Sequence, residues 1–213
     1  MLIPFPGYSI ELSTFDSPVM EASLIVQNLE TDLDYDDSIV KSRINRIAMI
    51  LFEPSYPSFQ PGLQFGAFEI NQNNNPVTAG INVTGDFLGV VFRSLLLSSE
   101  HSGLLLEGNY AYYSADKTYG DQEVNFQWHE YQIQAALLLS YGNLDFSLGG
   151  YTHSINGDEA DYGVITQTRN FDEQSNTGVH TGLEYWVDAT GKVGAYADIG
   201  GGKQFTLIFT REY

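Results

Sequence analysis

Along most of this chain polar and apolar residues alternate one by one, the period of a strand with one apolar face. The clearest stretch runs from Glu130 to His153. Tyr131, Ile133, Ala135, Leu137, Leu139 and Tyr141 share one face, and Glu130, Gln132, Gln134, Ala136, Leu138 and Ser140 share the other. Gly142-Asn143 suits a two-residue hairpin turn. Leu144, Phe146, Leu148 and Gly150 then continue the apolar face, against Asp145, Ser147, Gly149 and Tyr151. A second hairpin sets Val179, Thr181, Leu183, Tyr185 and Val187 against His180, Gly182, Glu184, Trp186 and Asp188, and returns through Val193, Ala195, Ala197 and Ile199. Two less regular hairpins span Ser42 to Glu53 with Gly62 to Asn71, and Asp86 to Ser98 with Leu104 to Ser114. A first strand near Ala22 to Tyr35 and a last one from Gln204 to Tyr213 bring the count to ten.

The spacing of aromatics adds a scale. Tyr131 and Tyr141 bracket a segment as long as a tilted membrane-crossing strand with an aromatic at each interface. The pattern therefore predicts an all-β, closed, antiparallel up-and-down transmembrane barrel of about ten strands, with eight or twelve also compatible. It predicts short turns at one end, and at the other three long polar loops at Gln72 to Gly85, Ala115 to Glu123 and Ile155 to Thr177. A helix can be drawn only over Ser42 to Phe52, where Pro54, Pro57 and Pro61 would end it. Residues 1–20 fit no strand and are expected to be an N-terminal arm; 21–213 form the barrel.

Composition changes the picture in three ways. Mean hydropathy is -0.16 and the longest unbroken aliphatic run is Ala135 to Leu139, which excludes membrane-spanning helices but not a barrel. The 213 residues include no cysteine, so disulfides and thiolate chemistry are excluded. A net charge of -18, with only 9 Lys and Arg, argues against nucleic acid, which needs basic patches. Met1-Leu2-Ile3-Pro4 lacks the basic start and apolar core of an export signal, and a leader removed upstream is the expected explanation.

The chain's end carries a resemblance. Phe205, Leu207, Phe209 and terminal Tyr213 lie on one face, with Gln204, Thr206, Thr210 and Glu212 on the other. This resembles the C-terminal strand of outer membrane β-barrel proteins, from which Arg211 departs. The segment from Gly182-Leu183-Glu184-Tyr185-Trp186-Val187 to Gly200-Gly201-Gly202 is similar to the closing hairpin of the OmpA/opacity-like small barrels. The resemblance implies insertion into a bacterial outer membrane by the barrel assembly machinery. It implies no activity.

Candidate chemistry follows from which face looks inward. The expected lumen face holds Glu30, Asp32, Asp34, Glu107, Glu130, Asp145, Glu184 and Asp198, against Arg46 and Arg93. Such a face is either a polar plug or a narrow cation-preferring pore lined by Glu107, Glu130, Glu184, Asp145, Asp198, Arg46 and Arg93. Gly66, Gly89, Gly149, Gly182 and Gly194 on that face would leave room for water. Tyr35, Tyr110, Tyr112, Tyr131, Tyr141, Tyr185 and Tyr213 are expected at the membrane interfaces. Of His101, His129, His153 and His180, His153-Ser154 near Asp158, Glu159 and Asp161 best suits a hydrolase at the external rim. Adjacent strand residues point to opposite faces, which counts against it and against His129-Glu130.

The expected role is therefore structural or surface-interacting, with the pore as an option and no enzyme activity, cofactor or bound metal. A rim hydrolase and a soluble ligand-binding β-barrel are the rivals. Expected partners are membrane lipid and lipopolysaccharide, divalent cations at the acidic loops (Asp32-Asp34-Asp36-Asp37, Asp116 with Asp121 and Glu123, Asp158-Glu159-Asp161), and a protein whose identity the residues do not name.

Overall fold

A computed structural model describes residues 20–36, 38–53, 59–99, 101–174 and 177–213. The expected N-terminal arm and the turn at Pro54 and Pro57 lie outside these residues. The chain forms β1 (Glu21–Tyr35), β2 (Ser38–Phe52), β3 (Phe59–Gln72), β4 (Asn82–Ser98), β5 (Ser102–Tyr119) and β6 (Gln122–Tyr141). It continues with β7 (Leu144–Tyr162), β8 (Gln167–Glu173), β9 (Thr177–Trp186), β10 (Gly191–Gly200) and β11 (Lys203–Glu212). Each strand pairs antiparallel with its neighbour, and β11 closes on β1 from Glu21↔Glu212 to Glu30↔Lys203. The ring of ten runs β1 to β7, then β9, β10 and β11.

The eleventh strand makes the barrel taper. β7 is long enough to carry two partners: its lower half pairs with β9 from Leu144↔Tyr185, and its upper half with β8 from Asn156↔Asp172. β8 also pairs with the top of β1 through Leu33↔Glu173 and Tyr35↔Phe171. Above the β10–β11 hairpin the wall is therefore β1 to β7 plus β8, a ring of eight. Narrower rings hold less solvent and are filled by side chains.

Two of the three long loops expected from polarity are strand instead. Ala115 to Glu123 belongs almost wholly to β5 and β6, joined by Gly120-Asp121, and Ile155 to Thr177 supplies the end of β7 and all of β8. Their outer faces are polar because the hairpins stand above the apolar zone, so polarity was a poor guide to the end of pairing. Gly120 (φ 56) and Gly142 (φ 62) each occupy the first central position of a two-residue turn. That position needs a left-handed backbone in type II′ hairpins, which glycine adopts without steric cost.

Outward residues form a continuous apolar belt. Leu24, Val26, Ile47, Met49, Leu63, Phe65, Leu88, Val90, Ile133, Leu137, Leu148, Leu183, Leu207 and Phe209 are all exposed, Leu137 at 60 %. Above the belt the same face turns polar, and cross-strand pairs knit this collar: Asn28 with Asn45, Arg43 with Glu30, Asn71 with Asn82, and Asn156 with Asp172. Inward residues pack an aromatic core in the upper half. Tyr113 stacks on Trp128 at 4.7 Å and on Phe87 at 4.7 Å, while Phe68 meets Trp128 edge-on at 4.8 Å.

Candidate functional site

The interior has three levels. At the top, the segment between β3 and β4 folds inward, burying Asn75, Val77 and Thr78. Asn75 Nδ2 donates to Glu159 (2.8 Å) and to Gln72 (2.6 Å), and Tyr119 Oη donates to the Val77 carbonyl (2.5 Å). Glu159 also accepts from Tyr35 Oη at 2.7 Å and pairs with Arg169 at 2.9 Å, whose guanidinium lies 4.7 Å from the Tyr35 ring centre. The upper mouth is thus capped by chain from β3, β7 and β8 together.

Burial pushes the Glu159 and Asp161 carboxyls above their ordinary range, and Arg169 opposes this only in part. Such groups keep their protons to higher pH in the folded cap than in the unfolded chain. Their contribution is favourable at low pH and declines as pH rises from the unfolded value through the folded one. The urea midpoint of the barrel is expected to fall between pH 4 and 7, and Glu159→Gln with Asp161→Asn to flatten that slope. A slope equal to the parent's would refute the assignment.

At mid-height an ion-pair belt crosses the interior. Arg46 Nη1 donates to Glu130 Oε1 (2.7 Å) and to Gln27 (3.0 Å), and the guanidinium sits 4.9 Å from the Tyr113 ring centre. His153 lies 3.1 Å from Glu130 and 2.8 Å from Glu173, which in turn accepts from Thr31. Arg46, Glu130 and His153 are all buried. A carboxylate inside an apolar wall is tolerated because paired donors replace its water.

Below this belt lies a cavity of about 260 Å³, walled by β1, β2, β4 to β7 and β9 to β11. Arg93 pairs with Glu21 at 2.9 Å and Lys192 with Glu184 at 2.9 Å; Tyr196 donates to Glu184 as well. Asp145 accepts from Trp186 Nε1 at 2.7 Å, and Glu107 from Gln134 at 3.4 Å. On one wall, Ser147 Oγ lies 3.0 Å from His180 Nε2, and His180 Nδ1 lies 2.6 Å from Asp198 Oδ1. Gln204 donates to the other Asp198 oxygen at 3.0 Å.

The expected pore lining is therefore divided. Glu107, Asp145, Glu184, Asp198 and Arg93 line the lower cavity, but Arg46 and Glu130 form the barrier above it. Glu30, Asp32 and Asp34 correct the reading, since alternation along β1 puts Leu29, Thr31, Leu33 and Tyr35 inside and the three acids outside. Tyr35 accordingly leaves the interface set for the cap, while Tyr110, Tyr112, Tyr131, Tyr141, Tyr185 and Tyr213 are exposed. The inward glycines do not simply make room for water: a Cβ on Gly66 would strike the Ile47 carbonyl and the Phe87 ring, and one on Gly182 the Tyr196 ring and Ser147 Oγ. His153 is not at a rim, and Glu159 and Asp161 point inward rather than into a solvated loop. His129 faces outward between Tyr110 and Tyr112, its Nδ1 2.6 Å from Tyr110 Oη. Among the described residues no group of three or more carboxylate or histidine side chains could hold a metal ion.

Sequence reasoning missed Ser147, His180 and Asp198 as a group. They sit on β7, β9 and β10 and meet only through register, with His180 opposite both Gly149 and Asp198.

No family model and no curated protein matches the chain. Among solved structures, the translocator domain of the autotransporter NalP from Neisseria meningitidis matches 94 % of this chain and 90 % of its own, with TM-score 0.53 and 10 % identity. The fold is that of an outer membrane β-barrel. The outer membrane protease OmpT from Escherichia coli is also similar, at 12 % identity over 96 % of this chain and 98 % of its own, with TM-score 0.48. So is the attachment invasion locus protein Ail of Yersinia pestis, at 11 % identity over 92 % and 99 %, with TM-score 0.38. Likeness at this level is one of architecture alone.

Proposed function

We propose that this protein is an integral barrel of a Gram-negative bacterial outer membrane that works as a closed scaffold, presenting its polar collar above the lipid. The observation that carries this reading is the pairing of an apolar outer belt with a packed upper interior. A soluble barrel would place Ile133, Leu137 and Leu207 inside; here they face out, while Arg46, Glu130 and His153 face in at the same level of the wall. Closure into a ring leaves no unpaired edge to the hydrocarbon, where each unsatisfied group would cost several kcal/mol.

The cap and the Arg46–Glu130 belt oppose ion passage, so the acidic lining serves a dead-ended cavity. Purified protein reconstituted in planar bilayers is expected to be electrically silent. Cation-selective steps that shrink in Glu107→Gln or Glu184→Gln would overturn the closed reading in favour of a pore. The collar's outward acids, among them Glu30, Asp34 and Asp172, lie above the apolar belt, which in an outer membrane is the side of the lipopolysaccharide phosphates, and divalent ions would be the bridge between the two. Binding of lipopolysaccharide vesicles is expected to strengthen with calcium and to be lost on chelation. Binding indifferent to chelation would remove that partner.

A further inference from the structure

We propose that Ser147, His180 and Asp198 form a nucleophile–base–acid relay in the lower cavity, competent to cleave a small carboxylic ester that carries a positive charge. The inference goes beyond the scaffold role and does not depend on it.

The geometry supports each part of the relay. Asp198 accepts from Gln204 on one oxygen and from His180 Nδ1–H on the other, at 2.6 Å. That bond leaves the neutral ring with a lone pair on Nε2, 3.0 Å from Ser147 Oγ. This is the disposition that lets a serine hydroxyl lose its proton as it attacks. Three adjacent strands hold the groups by ladder hydrogen bonds, and the Tyr196 ring packs on His180 at 5.5 Å. Gly182, opposite Ser147 in register, leaves the space that Ser147 Oγ occupies; a Cβ there would lie 2.4 Å from it.

Surroundings set the chemistry. In attack, a bond forms from Ser147 Oγ to the ester carbonyl carbon and the hydroxyl proton passes to His180 Nε2. Collapse breaks the C–O bond to the alcohol, which leaves with that proton. Water, deprotonated by the same nitrogen, then hydrolyses the acyl-serine and releases the acid. Strand amides are used by the ladder, so stabilising the developing oxyanion falls to side chains of the cavity, whose two cations are Lys192 on β10, paired with Glu184, and Arg93 on β4, paired with Glu21. The cavity carries six carboxylates (Glu21, Glu107, Asp145, Glu184, Asp198 and Glu212) against those two cations, a balance that favours a cationic substrate. Its volume of about 260 Å³ limits that substrate to a small molecule.

The test uses the full chain refolded in detergent, with folding of every variant verified by its resistance to unfolding in dodecyl sulfate. Diisopropyl fluorophosphate should phosphorylate Ser147, forming the O–P bond as fluoride leaves, and intact mass should rise by one adduct. Ser147→Ala should take no adduct, and folded His180→Gln and Asp198→Asn should label at least tenfold more slowly. Hydrolysis of acetylcholine should exceed that of its uncharged carbon analogue, 3,3-dimethylbutyl acetate, by at least tenfold. A folded parent that takes no adduct, or one labelled equally in His180→Gln, would show the three residues to be a structural strut and overturn the relay. Labelling without preference for the charged ester would overturn the substrate class.

Discussion

Arg46→Ala is expected to destabilise the barrel by about 3–5 kcal/mol, the usual cost of stranding one member of a buried ion pair. Glu130 would keep only His153, at 3.1 Å, as a charged neighbour where a bidentate guanidinium had been. The Tyr113 ring would also lose the cation on its face, at 4.9 Å. Removing both charges is a different matter. Arg46→Met with Glu130→Met replaces the pair by apolar groups in a wall already lined by Trp128 and Tyr113, so most of the loss should be recovered. Urea midpoints of the two variants, measured in the same detergent, decide the point. Equal loss in both would mean that His153, Gln27 and Glu173 depend on the charges for their own placement, and the barrier would then be a network rather than a pair.

Leu137→Arg separates membrane from water. Leu137 lies between Tyr131 and Tyr141 on β6 and is 60 % exposed, so in a soluble barrel the change should cost no more than about 0.5 kcal/mol. Facing acyl chains near the middle of a bilayer, arginine costs about 2–4 kcal/mol. The expected result is a loss of that size in lipid vesicles, with Asp34→Arg on the collar nearly neutral. Equal, small effects at the two sites would contradict the membrane reading directly, whatever the fold.

The two variants probe what alternation reveals and what it hides. Alternation shows which residues share a face, and a run as regular as Tyr131 to Tyr141 also shows that the face is apolar along a membrane's thickness. It cannot assign a strand whose polarity changes along its length. β1 is such a case: Leu24 and Val26 share their face with Glu30, Asp32 and Asp34, because the lower part meets the belt and the upper part the collar. Reading the acids as inward put Tyr35 outside, when it reaches Glu159 across the cap. The same change of environment disguised the end of β7 and all of β8 as loop.

From sequence alone came the strand period, the hairpin at Gly142-Asn143, the closing β11 and the inward placement of Glu107, Glu130, Asp145, Glu184 and Asp198. These are local properties, decided by side-chain parity and by the backbone freedom of glycine. Tertiary structure decided the rest: the narrowing from ten strands to eight, the inward fold of the chain between β3 and β4, the Arg46–Glu130–His153 belt, and the meeting of Ser147, His180 and Asp198. Each depends on register between strands far apart in sequence, and a one-residue slip in that register would turn every one of these side chains to the opposite face.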